Sequence, residues 1–390
     1  MKLVMTLMVR DEVDVISAML EHHLAQGVDM IIVTDNGSVD GTLEILRSYY
    51  SKGRVQLHHD PVHRKQQNST VTRMAREAYT VYGADWVINA DADEFWVTVN
   101  PEITLRNALE NTSKSIQSFE VPVVDMTGMP ALAGSGFSRL IYRDNRLDDA
   151  MTAAGLLAHS TPDAVHVGQD DIEVSQGNHF VSLKSLGQPE PEWAMEVLHL
   201  PWRSWNQFRQ KVENAGRAYE ANPELLPSPN HHGMREYRRL LDGALLAFYV
   251  LRHPTMDEIE LGLHDGSFMI ENRVHGLEAY AIPDKLFDPP VEAFHRKYGA
   301  ILSVAQERQR KSEAERSRVF DEASAALTDH AAQVAELEAE VASLEDLIAQ
   351  FRARQIIRLA DKTAALQKWI RDPKSRRGAQ STSKRRSGPP

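Results

Sequence analysis

The chain of 390 residues contains no cysteine. It therefore has no disulfide framework, no thiolate metal site and no cysteine nucleophile, and any metal must be held by Asp, Glu, His or water. Nor does any segment approach the ~18 consecutive apolar residues that a membrane-crossing helix needs. The N-terminus, MKLVMTLMVRDE, reaches charge before the apolar stretch of a secretion signal can form, so the sequence reads as cytoplasmic, at most peripheral to a membrane. Basic charge is scarce too, with 44 Lys and Arg against 55 Asp and Glu and a net charge of −11. Residues 371–390 alone hold seven basic side chains and one Asp, which leaves 37 against 54, or −17, for residues 1–370. An acidic body argues against nucleic acid as a partner, while the basic tail is a candidate contact for an anionic lipid or a polyanionic glycan.

What is present is an ordinary globular balance, 42% hydrophobic and 25% charged. Over the first hundred residues the periodicity alternates. Residues 3–9 form a short apolar run without helical spacing. Val15, Ile16, Met19, Leu20, His23 and Leu24 then share one helical face within residues 11–26, which ends at Gly27. A second apolar run at 30–34 precedes the turn Asp35-Asn36-Gly37-Ser38, and a helix opens at Thr42. Residues 55–58 and 86–90 read as further strands, with a helix over 69–82 between them. Strands alternating with crossover helices imply an α/β fold, a doubly wound and mostly parallel Rossmann-like sheet whose ligands bind beyond the carboxyl ends of the strands.

Further along, 164–167 and 173–181 read as a strand pair, the chain turns helical after Trp202, and a Pro/Asn/His-rich break falls at 223–233. Val334, Leu337, Val341, Leu344, Ile348 and Phe351 keep strict 3-4 spacing, an a/d seam whose phase then slips to Ile356, Leu359, Thr363, Leu366 and Ile370. This favours a coiled coil through which the chain self-associates over 330–370. The alternative is one amphipathic helix packed on the body.

The strongest chemical signal is the run WVINADADEF at 86–95. If the strand continues through the acids, Asp91 and Asp93 project to the same side and Ala92 points away. Two such carboxylates repel one another unless a divalent ion or a cationic partner neutralises them, and a Mg²⁺ or Mn²⁺ so held also binds substrate phosphates. The plainer reading is a strand followed by a helix whose first turn carries Asp93 and Glu94.

Three strings in order, MVRDE at 8–12, EHHLAQGVDMIIVTDNGSVDGT at 21–42 and DADEFW at 91–96, resemble the N-terminal half of family 2 glycosyltransferases, over about residues 1–215. The resemblance implies a GT-A fold, a nucleotide-diphosphate sugar donor, a divalent ion and inversion at the anomeric carbon. Carried over by position, Asp35 matches the acid that hydrogen-bonds the nucleotide base, beside Asn36, which makes a UDP-sugar the expected donor. Arg10 and Asp11 match the strand end lining the nucleotide pocket. Asp91 matches the acid near ribose and metal, and Asp93 the acid that binds the metal. His179 in QGNHF and His199 in LHLPWRS resemble elements that follow in the same subgroup; His179 is the first choice as a further metal ligand and His199 the second, with Arg203 as a phosphate clamp. Arg64, Lys65 and Arg73 stand between the third and fourth strands, where basic side chains would neutralise a diphosphate.

An inverting transfer also needs a general base, and the usual acidic pair has no clear counterpart here. Asp125 and Asp171 are the candidates. The resulting organisation is a glycosyltransferase domain over 1–215, a helical subdomain on the acceptor side over 216–300, a helix or coiled coil over 301–371 and a basic tail over 372–390. The acceptor, whether glycan, lipid-linked or small molecule, is not legible. Two other functions compete. A sugar nucleotidyltransferase would carry a glycine-rich loop after the first strand, where Arg10-Asp11-Glu12 has no glycine; a non-catalytic scaffold would explain the missing base.

Overall fold

The computed structural model describes residues 1–62, 67–220, 232–274 and 277–371. The chain divides into two compact units, Met1–Arg308 and Gln309–Pro390. In the first, strands β1 (Leu3–Val9), β2 (Met30–Asp35), β3 (Val55–His59) and β4 (Trp86–Ala90) alternate with helices α1 (Ile16–Ala25), α2 (Thr42–Ser51) and α3 (Gln67–Thr80). Then follow β5 (Glu94–Thr98), α4 (Leu105–Asn111), β6 (Ser118–Val121), β7 (Val123–Thr127), β8 (Ala131–Ala133), β9 (Tyr142–Asp144), α5 (Asp148–Ala153), β10 (Asp163–Val167) and β11 (Met195–His199). Helices α6 (Trp205–Glu220), α7 (His232–Leu241), α8 (Leu245–Arg252) and α9 (Met256–Asp265) precede β12 (Phe268–Ile270), β13 (Lys285–Leu286) and the helix α10 (Pro289–Arg371).

The main sheet has the order β3-β2-β1-β4-β10-β6. Strands β1 to β4 are parallel to one another, and β10 runs antiparallel to both of its neighbours. Alternation along β1 sends Leu3, Met5, Leu7 and Val9 to one face, against α1 and α2, and Val4 to the other, against Val71, Met74, Ala75 and Ala78 of α3. With both faces covered, β1, β2 and β4 are buried almost along their whole length, which is why these runs lack strict alternation. The doubly wound α/β sheet expected from the sequence is present.

A second sheet, β12-β9-β7-β11-β5, forms the other layer that shapes the site. In it β11 lies parallel to β7 and antiparallel to β5, so that His199 is in register with Asp125 on one side and Glu94 on the other. The two histidines of EHHL bind this layer to α1. His22 Nε2 lies 2.8 Å from the Trp96 carbonyl, and His23 Nε2 accepts from the Trp96 amide at 3.1 Å. Burial holds both imidazoles below the ordinary histidine range, and therefore neutral.

Several expectations need correction. Residues 173–181 are not a strand beside β10; a single bridge, Val174 to Val181, is all the strand pairing they have with one another. Helix α1 starts at Ile16, because Asp11 takes a left-handed φ of 56° that no helix continues through. Most of the break at 223–233 and the basic tail after Arg371 lie outside the described residues. Residues 309–371 of the second unit are helical throughout, and Val334, Leu337, Val341, Leu344, Ile348 and Phe351 are each more than half exposed in the single chain. No described helix is long and apolar enough to cross a membrane.

Candidate functional site

Beyond the carboxyl ends of β1, β2 and β4 lies a cleft of about 200 Å³. Its walls come from Arg10 and Glu12 after β1, Asn36 after β2, Asp91, Ala92 and Asp93 after β4, Gln67, Gln176, and one face of α6 that presents Lys211, Asn214, Ala215 and Ala218. The turn after β2 is built locally. Gly37 sits at φ 72°, where a Cβ would stand 3.3 Å from the Pro61 backbone and 3.6 Å from the Arg10 guanidinium, so this position favours glycine on both counts. Arg10 Nη1 in turn donates to the Asn36 carbonyl at 2.7 Å, tying the two strand ends together.

Asp91 and Asp93 do meet in the cleft, but through a turn between β4 and β5 and not through a continued strand. Asp91 Oδ1 accepts from Gln67 Nε2 at 2.9 Å and from Asn178 Nδ2 at 3.2 Å. Burial, with Asp93 next to it, raises its affinity for a proton. Asp93 is surrounded by cations: Lys211 Nζ at 2.6 Å, Arg203 Nη1 at 3.3 Å and His199 Nε2 at 3.7 Å from its Oδ2. Burial alone would raise its pKa, yet Lys211, His199 and Arg203 hold it well below the usual carboxylate range. Glu12, buried in the same wall and bonded to Arg203, is pushed up to about 7 chiefly by burial.

The metal set expected from the sequence is not assembled. Among the described residues no group of three or more His, Asp and Glu side chains is placed to hold a metal ion. His199 has Nδ1 at 3.0 Å from Asp125 and Nε2 facing Asp93, so both of its ring nitrogens are turned to carboxylates. His179 turns Nδ1 to Asp163 at 2.9 Å. Asp93 Oδ1 is buried without a partner, as are Asn178 Oδ1 and Asp163 Oδ2 beside Asp91 and His179, but Oδ2 of Asp93 is already held by Lys211 and Arg203. The side chains present do not fit the four-ligand ion site.

Other candidates are displaced as well. Asp35 is fully buried away from the cleft wall, its carboxylate accepting from the Gly37 and Ser38 amides and facing His59 Nδ1 at 3.0 Å; Asn36 is the residue of this turn that reaches the cleft. Asp11 anchors rather than lines, accepting from the Val39 amide and from Asn214 Nδ2 at 3.1 Å. Arg203 is fully buried and binds Asp14 and Glu12, so it is an internal clamp on carboxylates and not a phosphate clamp. Arg73 of α3 pairs with Glu77 on the same helix and donates to Thr34 of β2, outside the cleft wall. Lys65, with Arg64, lies outside the described residues. Neither base candidate lines the cleft: Asp125 is 1% exposed and enclosed by His199, His159, Ser160 and Arg252, and Asp171 is exposed on the loop that Arg76 holds by its backbone.

Sequence reasoning missed Lys211, Asn214, Gln67, Glu12 and Asn178. One signal for α6 was there to be read: Lys211, Asn214/Ala215 and Ala218 recur at helical spacing with small residues between larger ones, a face that something approaches closely.

Residues 4–130 match the family model described as Glycosyltransferase family 92. No curated protein matches the chain. Among solved structures, TarS residues 1–349 of S. aureus, determined alone and in complexes with UDP and UDP-GlcNAc, is 12% identical over 80% of this chain and 92% of that one, with a TM-score of 0.31. Glucosyl-3-phosphoglycerate synthase of Mycobacterium tuberculosis, in complex with Mn²⁺, UDP and glucosyl-3-phosphoglycerate, is 19% identical over 43% of this chain and 56% of that one, with a TM-score of 0.25. The matching model is that of family 92 and not family 2, and the segment it covers contains Arg10, Glu12, Asn36, Asp91 and Asp93 of the cleft wall. That match supports a glycosyltransferase.

Proposed function

We propose that the chain transfers a sugar from a nucleoside-diphosphate donor, a UDP-sugar in the first instance, to an acceptor hydroxyl. The observation that carries this reading is the cleft beyond the sheet's carboxyl edge, where Asp91 and Asp93 stand with Arg10 and Lys211 inside or beside a segment similar to a glycosyltransferase family. In such a transfer the bond from the anomeric carbon to the diphosphate breaks with its electron pair left on the diphosphate, a bond to the acceptor oxygen forms, and the acceptor proton is released. Cations fixed at the departing diphosphate stabilise the charge that develops there. Carboxylates opposite them suit ribose and sugar hydroxyls, which are hydrogen-bond donors. Inversion at the anomeric carbon is what the likeness of 8–12, 21–42 and 91–96 to family 2 enzymes implies.

The test is donor hydrolysis in the absence of acceptor, followed by proton NMR of the anomeric signal across UDP-, GDP- and CDP-sugars. Slow release of one nucleoside diphosphate, lost in Asp91→Asn, agrees with the reading; no consumption of any donor, or unchanged turnover in the variant, contradicts it. One observation favours a second reading, a nucleotide-sugar-binding scaffold without transfer: Asp125 and Asp171 both lie away from the cleft wall. Binding without hydrolysis separates the two.

A further inference from the structure

Asp93 carries three protein cations on one carboxylate, and they differ in what they can do. Arg203 is fully buried and bonded to Asp14 and Glu12, so it has no reach into the cleft. His199 is held between Asp125 and Asp93. Lys211 alone of the three lines the cleft, with its side chain 41% exposed while Nζ sits 2.6 Å from Asp93 Oδ2. Its stem rises from a helix face otherwise made of Asn214, Ala215 and Ala218, which leaves room for a ligand over the ammonium. An ammonium has three donors, so it can keep Asp93 and bind a phosphate oxygen at once. Arg10 is the other cation of the cleft wall among the described residues.

A divalent ion between Asp91 and Asp93 would have to sit against the Lys211 ammonium and the Arg203 guanidinium on the Asp93 carboxylate, and His199, whose two ring nitrogens face Asp125 and Asp93, would not complete its shell. Resting on the nucleotide-sugar reading, we propose that Lys211, with Arg10 on the same wall, is the cation that holds the donor's diphosphate, so that donor binding requires no divalent metal ion.

The experiment is calorimetric titration of the full chain with UDP, GDP and CDP, each in EDTA and again in excess Mn²⁺, with the matching nucleosides as controls. The expected result is one diphosphate that binds in EDTA with an affinity Mn²⁺ changes by less than about threefold. Lys211→Met then weakens that diphosphate about tenfold or more, as loss of a charge-assisted hydrogen bond does, without changing the affinity of the nucleoside, and Lys211→Arg recovers most of it. A diphosphate bound only with Mn²⁺ overturns the inference and leaves the nucleotide-sugar reading standing. So does wild-type affinity in Lys211→Met. No binding of any diphosphate in either condition overturns both. The comparison of EDTA with Mn²⁺ uses the unaltered protein and decides the matter even if Lys211→Met fails to fold.

Discussion

The imidazole of His199 and the carboxylate of Asp125 are partners fixed by strand register: they face each other across the parallel pair β7–β11 with Nδ1 and Oδ1 3.0 Å apart. His159, Ser160 and Arg252 close around the same carboxylate, which is held far below the usual carboxylate range although burial opposes this. Asp125 is thus a positioning residue that keeps His199 charged beside Asp93. Asp125→Asn leaves buried cations uncompensated and is expected to cost about 3 kcal/mol of stability. Urea denaturation reads this directly. A variant as stable as the wild type but dead in transfer would instead mark Asp125 as the base.

Lowering the pH should weaken the protein through a buried neutral imidazole. His166 of β10 is fully buried with Nδ1 on the Val167 carbonyl, and burial pulls its pKa down to about 4 from an ordinary 6.5. Between those values the unfolded chain binds the proton and the folded one does not, so stability falls as pH drops through 6.5 toward 4 and the full contribution is present above 6.5. At about 1.4 kcal/mol per pH unit the loss from this residue approaches about 3 kcal/mol. His166→Asn should flatten the slope of stability against pH in that window; an unchanged slope refutes the assignment.

The turn after β2 tests how the strand ends hold the cleft. Gly37→Ala places a Cβ in a left-handed residue at 3.3 Å from Pro61 and is expected to cost about 1–2 kcal/mol while also lowering nucleotide affinity, because Arg10 bonds the same turn. Thermal unfolding with and without the bound diphosphate separates the two effects. A variant indistinguishable from wild type in both would show that the turn does not shape the site.

The seam on residues 334–351 predicts self-association. Six apolar side chains at 3-4 spacing, each more than half exposed, suit the same seam on a second copy. Sedimentation at tens of micromolar should show an oligomer that the double variant Leu337→Glu and Leu344→Glu reduces to a monomer. A monomeric wild type contradicts this.

Much of the frame was legible because it is local. Residues 3–9, 30–34 and 86–90 form strands as their apolar runs require, and Asp91 and Asp93 stand at the end of β4 as the sequence places them. What was not legible depends on contacts between distant residues. Nothing near Arg203 indicates that Asp14, 189 residues away, would bury it, and nothing near Lys211 indicates that Asp93, 118 residues away, would receive it. Nor does the sequence around QGNHF or LHLPWRS indicate that Asp163 and Asp125, from distant strands, would face their histidines. For the same reason Asp35, whose type suits a base acceptor, is spent on its own turn and His59.

Hydrogen exchange, comparing the free chain with the chain saturated by UDP, GDP or CDP, tests the central claim most directly. The account predicts that one diphosphate slows exchange together at residues 8–12, 36–38, 91–94 and 208–218, the segments that wall the cleft. No slowing with any of the three, or slowing confined to other segments, would contradict it.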